Sequence, residues 1–316
     1  MNEWTVAFYN VENLFDVKDD PLTADHAFTP SGVLDWDLPK YWEKIEHLAD
    51  VLFALAPNNE LPSFVGLAEV ENEKVVRDLI NHRLLRTGNY RIVHAESIDS
   101  RGIDVAFLYN PAIFEHQGHQ LLTIDRFAES SLHSRDIMHV WGIFPDGQKA
   151  HFFINHWPSR RNGQLETAYK RAAAAKTLDA ALRENVRFES QDMAIVMGDF
   201  NDEPQDESLQ QILNAQEDKV QSNPLINLAW RLKRAEKGTV SHKSDWYMFD
   251  QILVDRSSTE TNRLGYKISK MEMYDDARVM FTSKNGIKKP SRTYVGSNYK
   301  GGFSDHLAVY ARIVKR

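Results

Sequence analysis

The chain has 316 residues, 42% hydrophobic and 26% charged, a composition that excludes a disordered or fibrous protein and leaves ample apolar side chain for a large core. A formal net charge of −7 excludes binding to a polyanion through bulk charge, so nucleic acid would have to be held by a local basic patch. The absence of cysteine excludes disulfides, thiolate metal centres and cysteine nucleophiles.

The chain opens with the strand-like run Trp4 to Tyr9 instead of a basic-then-apolar leader, and no stretch is long and apolar enough to span a bilayer. Compartment stays open, export after removal of a leader included. A helix is predicted over Tyr41 to Ala56, with Ile45, Leu48, Leu52 and Leu55 on one face, followed by a turn at Pro57-Asn58-Asn59. Further strands are predicted at Ser63 to Ala68, Ile103 to Tyr109, Ile137 to Phe144, His151 to Asn155, Met193 to Met197, Phe249 to Val254 and Leu307 to Val314. Helices are predicted over Asn72 to Leu85 and Gln164 to Glu184, and Pro145-Asp146-Gly147 reads as a turn. Strands mixed with helices suit two packed sheets with helices outside. No Gly/Ser-rich or Pro-rich linker divides the chain, so one domain over residues 1–316 and a monomer are expected. Phe281 to Gly302, dense in Lys and Gly, reads as a long polar loop and a candidate wall of a site.

Chemistry-bearing residues gather where the apolar runs end. Gly198-Asp199-Phe200-Asn201 places a carboxylate and an amide on one side of a strand end, where Asp199 can bind a cation or proton and Asn201 can donate to a phosphate oxygen. The same residues also suit an ordinary turn. Ser304-Asp305-His306 sets a hard oxygen ligand beside an imidazole. Gly66-Leu67-Ala68-Glu69 ends a strand in an acid, whereas Glu71 and Asn72 fit a helix cap. His156 ends another strand and is followed by Ser159, Arg160 and Arg161, a set able to hold phosphate, with Lys170 and Arg171 further on. Asp250 lies inside an apolar strand and needs a partner, for which a histidine would serve. Acids, amides and histidines without a serine or cysteine triad suit metal-assisted attack by water.

These segments, in order from Phe8-Tyr9-Asn10-Val11-Glu12-Asn13 through Gly66-Leu67-Ala68-Glu69-Val70, Asn155-His156-Trp157-Pro158, Gly198-Asp199-Phe200-Asn201 and Phe249-Asp250-Gln251 to Ser304-Asp305-His306, resemble the motifs of the endonuclease/exonuclease/phosphatase superfamily. The resemblance covers nearly the whole chain and points to a DNase I-like, bacterial branch. It implies an α/β four-layer sandwich, two packed mixed β-sheets flanked by helices, carrying a Mg²⁺-dependent phosphoesterase site, with Mn²⁺ or Ca²⁺ as substitutes. It further implies that Glu69 is the principal metal ligand, helped by Asn10 and Asp305 directly or through water, and that Asp199 and Asn201 position the nucleophile and phosphate. His306, oriented by Asp250, would be general base or phosphate contact, and His156 would stabilise the transition state or assist the leaving group. Asp104, from its strand position, is expected to pair with His156, and Arg160 and Arg171 are expected to hold substrate phosphate. The substrate class stays open between a phosphodiester, nucleic acid included, and a phosphomonoester of a small molecule or lipid headgroup, with an inactive binding module as the third reading. The first is preferred.

Overall fold

The computed structural model describes residues 2–55, 60–124, 135–188, 192–217, 224–259 and 265–315. The first half runs β1 (Asn2–Leu14), α1 (Leu38–Ala54), β2 (Phe64–Val70), α2 (Glu73–Ile80), β3 (Arg91–His94) and β4 (Asp104–Tyr109). It continues through β5 (Glu115–Leu122), β6 (Ile137–Ile143), β7 (Lys149–His156), α3 (Ala168–Asn185) and β8 (Met193–Asp199). The second half adds β9 (Leu225–Asn227), α4 (Trp230–Arg234), β10 (Val240–His242), β11 (Asp245–Tyr247), β12 (Asp250–Asp255), β13 (Tyr266–Ile268) and β14 (Glu272–Met273). Last come β15 (Met280–Thr282), β16 (Lys288–Pro290), β17 (Tyr294–Val295), β18 (Asn298–Tyr299) and β19 (Val309–Lys315).

The strands form two mixed sheets. One has the order β13-β19-β1-β2-β4-β3, with β14 also on β19, and the other β5-β6-β7-β8-β12-β9. Each contains a parallel pair, β1 with β2 and β7 with β8, among antiparallel neighbours. Alternation along the strands explains the layering. Phe8, Phe64, Phe107, Phe152, Ile154, Met197 and Ile252 point into the core between the sheets. Residues of the opposite parity, such as Leu67, Ala106 and Leu108, meet Ile45, Leu48, Leu52, Val75 and Leu79 of α1 and α2. Phe153, Val196 and Leu253 meet Ala174, Leu178 and Leu182 of α3. Helix, sheet, sheet, helix is thus the observed α/β sandwich.

The helices begin where side chains cap them. Asp37 accepts the N–H of Lys40, so α1 starts at Leu38, three residues ahead of the predicted Tyr41. Asn72 caps α2 through the N–H of Val75, and that helix ends at Ile80, short of Leu85. The expected helix end at Ala56 and the turn Pro57-Asn58-Asn59 lie outside the described residues. Phe281 to Gly302 is no structureless loop: β15 pairs with β16 and β17 with β18. These ribbons are too short to show a period in the sequence. Among the described residues no helix is long and apolar enough to cross a membrane.

The second sheet also buries a histidine pair, His139 Nε2 lying 3.0 Å from His151 Nδ1, with His139 stacked on Phe153 at 4.3 Å between centroids. Burial, then the neighbouring His151, pushes the pKa of His139 down to about 3. Between about 3 and the ordinary value near 6.5 the unfolded chain binds a proton that the native state refuses. The stability contributed is therefore complete above pH 6.5 and lost progressively as pH falls towards 3. Melting curves of the wild type and His139→Gln should show a shallower acid decline in the variant; identical declines would rule out this pair as a source.

Candidate active site

The polar residues at one end of the sandwich continue the inward alternation of its core. Phe8 is followed two residues on by Asn10, Ile154 by His156 and Met197 by Asp199, while Asp250 precedes Ile252. Register sets His156 opposite Asp199 and Asp199 opposite Asp250, so three side chains form one row across β7, β8 and β12. Gly198 permits this close approach, because a Cβ there would lie 2.4 Å from the carbonyl oxygen of Asn155. Such a row of polar groups inside a core is tolerable only when the groups satisfy one another.

Glu69 reaches the row from the other sheet by a break in β2. Register shifts between Ala68 and Val70, and Glu69 adopts φ +66°. Glu12, Asn13 and Asn201 are left-handed as well, at +51°, +54° and +49°. Left-handed non-glycine residues are uncommon, and a group of them around one cluster is characteristic of functional sites. The N–H of Asn13 holds Glu69 Oε2 at 3.0 Å. Asn10 Nδ2 donates to Glu69 Oε1 at 3.2 Å and to Asp199 Oδ2 at 3.1 Å, tying the two sheets together. His156 Nε2 lies 3.6 Å from Glu69 Oε1 and 3.7 Å from Asp199 Oδ2. His306 Nδ1 lies 2.8 Å from Asp250 Oδ2, and its Nε2 is 3.7 Å from Asp199 Oδ2 and 3.8 Å from Asp305 Oδ1. Asn201 holds Asp199 Oδ1 through its backbone N–H at 2.9 Å, while its side-chain amide donates to the carbonyl of Trp157 at 3.0 Å. The structure therefore brings Asn10, Glu69, His156, Asp199, Asn201, Asp250, Asp305 and His306 to one place.

Three expected residues stand elsewhere. Asp104 does not pair with His156. In β4, Val105 and Phe107 face the core between the sheets, so Asp104 shares the outward face of Ala106 and Leu108, where its Oδ2 lies 3.3 Å from His94 Nε2. Arg171 is 1% exposed and donates to Asp202, Thr167 and the carbonyls of Pro158 and Gln164. With its donors so engaged it is a structural clamp, not a phosphate ligand. Arg160 is bound to Asp202, Asp206 and the carbonyl of Asn201, with its guanidinium over the Phe249 ring. Arg171→Ala would leave Asp202 with Arg160 and Ser208 but without this buried charged donor, and a loss of about 1–3 kcal/mol is expected by urea unfolding; a near-neutral result would contradict the clamp.

Several residues of the site escaped the sequence reading. Arg135 donates to Asp99 and to the carbonyls of His156 and Trp157, and Arg101, 45% exposed, also lies on Asp99. Arg292, by contrast, lies in the polar loop that the sequence offered as a wall of the site; it binds Asp305 and sits 3.7 Å from Glu12. Beneath them Lys44 donates to Thr293 Oγ1 at 2.7 Å and to the Phe303 carbonyl at 2.6 Å, with Glu12 3.9 Å away. The available signal was a lysine inside the apolar face of α1, between Tyr41 and Leu48.

The electrostatics divide the two histidines. Burial, then the charges of Arg135 and Arg101, pushes the His156 pKa well below its ordinary value. Burial opposes the charge of His306 too, but Asp250 and Asp199 outweigh it and raise its pKa well above the usual range. Burial, and then Asp250 acting against His306, lifts Asp199 to about 7. Burial and Asp305 lift Glu12 to about 7 as well. The cluster thus holds more carboxylate than its cations neutralise, and its donors are mainly hard oxygens. Such a set fits a hard divalent cation.

A family model described as "Endonuclease/Exonuclease/phosphatase family" matches residues 5–315. No curated protein matches the chain. Among solved structures, D. rerio TDP2 complexed with single-strand DNA product aligns at 15% identity over 100% of both chains, with a TM-score of 0.60. An endonuclease/exonuclease/phosphatase family protein from Bacteroides thetaiotaomicron aligns at 16% identity over 100% of this chain and 98% of its own, with a TM-score of 0.61. A mannosyl-6-phosphatase from the same organism aligns at 16% identity over 98% and 99%, with a TM-score of 0.59. At these identities the likeness is one of fold.

Proposed function

The chain belongs to the endonuclease/exonuclease/phosphatase family of phosphoester hydrolases, and from that premise we propose that it is a Mg²⁺-dependent phosphodiesterase in which water attacks phosphorus. One observation carries the reading: a single amide, Asn10, joins Glu69 to Asp199 while His156 Nε2 and His306 Nε2 each lie 3.7 Å from the same oxygen of Asp199. Glu69, with Asp305, would hold the cation, with Mn²⁺ or Ca²⁺ as substitutes, and Asn10, whose Nδ2 faces Glu69 and Asp199 while its Oδ1 accepts the N–H of Glu12, would help through a bound water. When bound, the cation supplies charge to the phosphoryl oxygens and lowers the cost of forming the transition state.

The protein's own groups divide the remaining work. Asp199, poised near pH 7 and held by the N–H of Asn201, accepts the proton of the attacking water. A new bond forms between that oxygen and phosphorus as the bond to the leaving oxygen breaks, and the departing alkoxide takes its proton from solvent. His306, kept cationic by Asp250, donates through Nε2 to a phosphoryl oxygen. His156 stays neutral; among the described residues its Nδ1 has no hydrogen-bond partner, so the ring keeps its proton on Nε2, facing the reacting group. Arg101 and Arg292, each about half exposed, are the cations left to meet substrate phosphate once Arg160 and Arg171 are assigned to Asp202.

That same assignment favours a second reading, a phosphomonoesterase. It removes two of the cations, Arg160 and Arg171, that would have tracked a nucleic-acid backbone, in a chain whose net charge is −7. The D. rerio neighbour was crystallised with a single-strand DNA product and one B. thetaiotaomicron neighbour is a mannosyl-6-phosphatase, so the fold accommodates both. Hydrolysis of bis-p-nitrophenyl phosphate and p-nitrophenyl phosphate, with Mg²⁺ and with a chelator, separates them. Turnover of the diester alone, abolished by chelation, is the expected result. Turnover of the monoester alone selects the second reading, and no turnover of either selects a binding module. Plasmid nicking that falls with added salt would extend the first reading to nucleic acid.

A further inference from the structure

Asp104, displaced from the catalytic cluster, belongs to a different one. β3 pairs with β4 so that His94 lies opposite Ala106, which puts His94 and Asp104 on the same outward face of the first sheet. Glu96 follows two residues after His94, and one ligand atom from each of the three lies within 4.8 Å of the others. The side chains of His94 and Asp104 are 4% and 3% exposed. Asp104 Oδ1 takes the N–H of Ser97 at 2.8 Å, which fixes the carboxylate and aims Oδ2 at His94. Yet among the described residues neither Asp104 Oδ2 nor His94 Nε2 has a hydrogen-bond partner, though they are 3.3 Å apart and both are buried. Native proteins rarely bury two polar atoms in this way, and an ion between such atoms is a standard resolution.

We propose that His94, Glu96 and Asp104 form a second divalent-cation site, separate from the catalytic one and selective for a first-row ion of the zinc type. One imidazole nitrogen and two carboxylate oxygens match the donors such an ion accepts, whereas Mg²⁺ and Ca²⁺ prefer oxygen alone. The Ser97 N–H on Asp104 is the outer-shell bond that commonly orients a ligating carboxylate. Because β4 adjoins β2, which carries Glu69, an ion here would brace the strand next to the catalytic glutamate without touching it. The site needs no part of the proposed catalytic mechanism.

The test is Zn²⁺ binding by the untagged, intact chain in excess Mg²⁺, followed by calorimetry and by the shift in melting temperature. One equivalent is expected in the wild type, retained in Glu69→Gln and weakened about 10-fold or more in Asp104→Asn and Glu96→Gln. Glu96 is exposed, so its variant carries the test should Asp104→Asn fold poorly. X-ray absorption of the bound zinc should show nitrogen and oxygen ligands with one imidazole. Zinc binding that is unchanged in both variants, or lost in Glu69→Gln, overturns the proposal. So does binding that is lost in His119→Ala, since His119 and His116 form an exposed pair 3.4 Å apart. In each of those cases His94 and Asp104 are only a structural pair.

Discussion

Asp199→Asn is expected to lower kcat by about 10³-fold, within the range for loss of a general base, while making the folded protein more stable at neutral and alkaline pH. Both effects come from one property. Burial and Asp250 raise the folded pKa of Asp199 to about 7, against about 3.9 in the unfolded chain. Between those values the native state keeps a proton that the unfolded chain has released, so this group's contribution to stability falls as pH rises from about 4 to about 7. Above pH 7 the whole penalty is present, and an isosteric amide removes it. The melting temperature of the variant should therefore exceed that of the wild type most above pH 7, with the difference vanishing below pH 4. The wild-type rate should climb with pH towards 7 as the base form appears, and the variant should lack that limb. Adding Mg²⁺ beside Asp199 favours its charged form and should move the wild-type limb to lower pH. A variant that keeps the limb would assign the base to another group, and one that is less stable at pH 8 would contradict the burial argument.

Much of this site was readable in the chain because strand alternation has a period of two. Once Phe8, Ile154 and Met197 are taken as core, Asn10, His156 and Asp199 must project to the same side two residues later. The Asp250 partner was equally readable, since a carboxylate within an apolar strand demands one, and it is found on His306. Asp104 shows where the logic stops. Ile103-Asp104-Val105-Ala106-Phe107 is apolar on both faces because β4 is covered on both, and a doubly buried strand gives no sign of which parity faces which layer. Charge misled in a different way. Arg160 and Arg171 look like a phosphate-binding patch in sequence, but Asp202, which engages both, comes 42 and 31 residues later. Nothing local distinguishes a guanidinium waiting for substrate from one already paired. Lys44 with Glu12 stayed hidden for the same reason, since the pair joins α1 to β1, whereas Arg292 and Asp305 are only 13 residues apart and stayed hidden because nothing in the loop between them signals that it brings the two charges together.

Glu69→Gln is expected to reduce kcat/KM by about 10³-fold, equivalent to about 4 kcal/mol of transition-state stabilisation, and to weaken Mg²⁺ binding with little change in fold. Glutamine retains the shape but only one acceptor oxygen, so it can take the N–H of Asn13 or the amide of Asn10, not both. It loses the charge and one of these two hydrogen bonds, so the melting curve measures the lost bond while the Mg²⁺ titration measures what the carboxylate does for the cation. Glu69→Gly supplies the complementary measurement. At φ +66° a glycine is free of the strain that a side chain meets there. If the left-handed conformation is kept for the sake of the carboxylate, the glycine variant should resist thermal unfolding at least as well as the wild type and yet be as inactive as the glutamine one. Calorimetric titration with Mg²⁺, run beside melting curves for all three proteins, decides the matter. Equal Mg²⁺ affinity in the wild type and Glu69→Gln would remove Glu69 from the metal, and marked destabilisation of Glu69→Gly would make the bulge in β2 a requirement of folding instead of function.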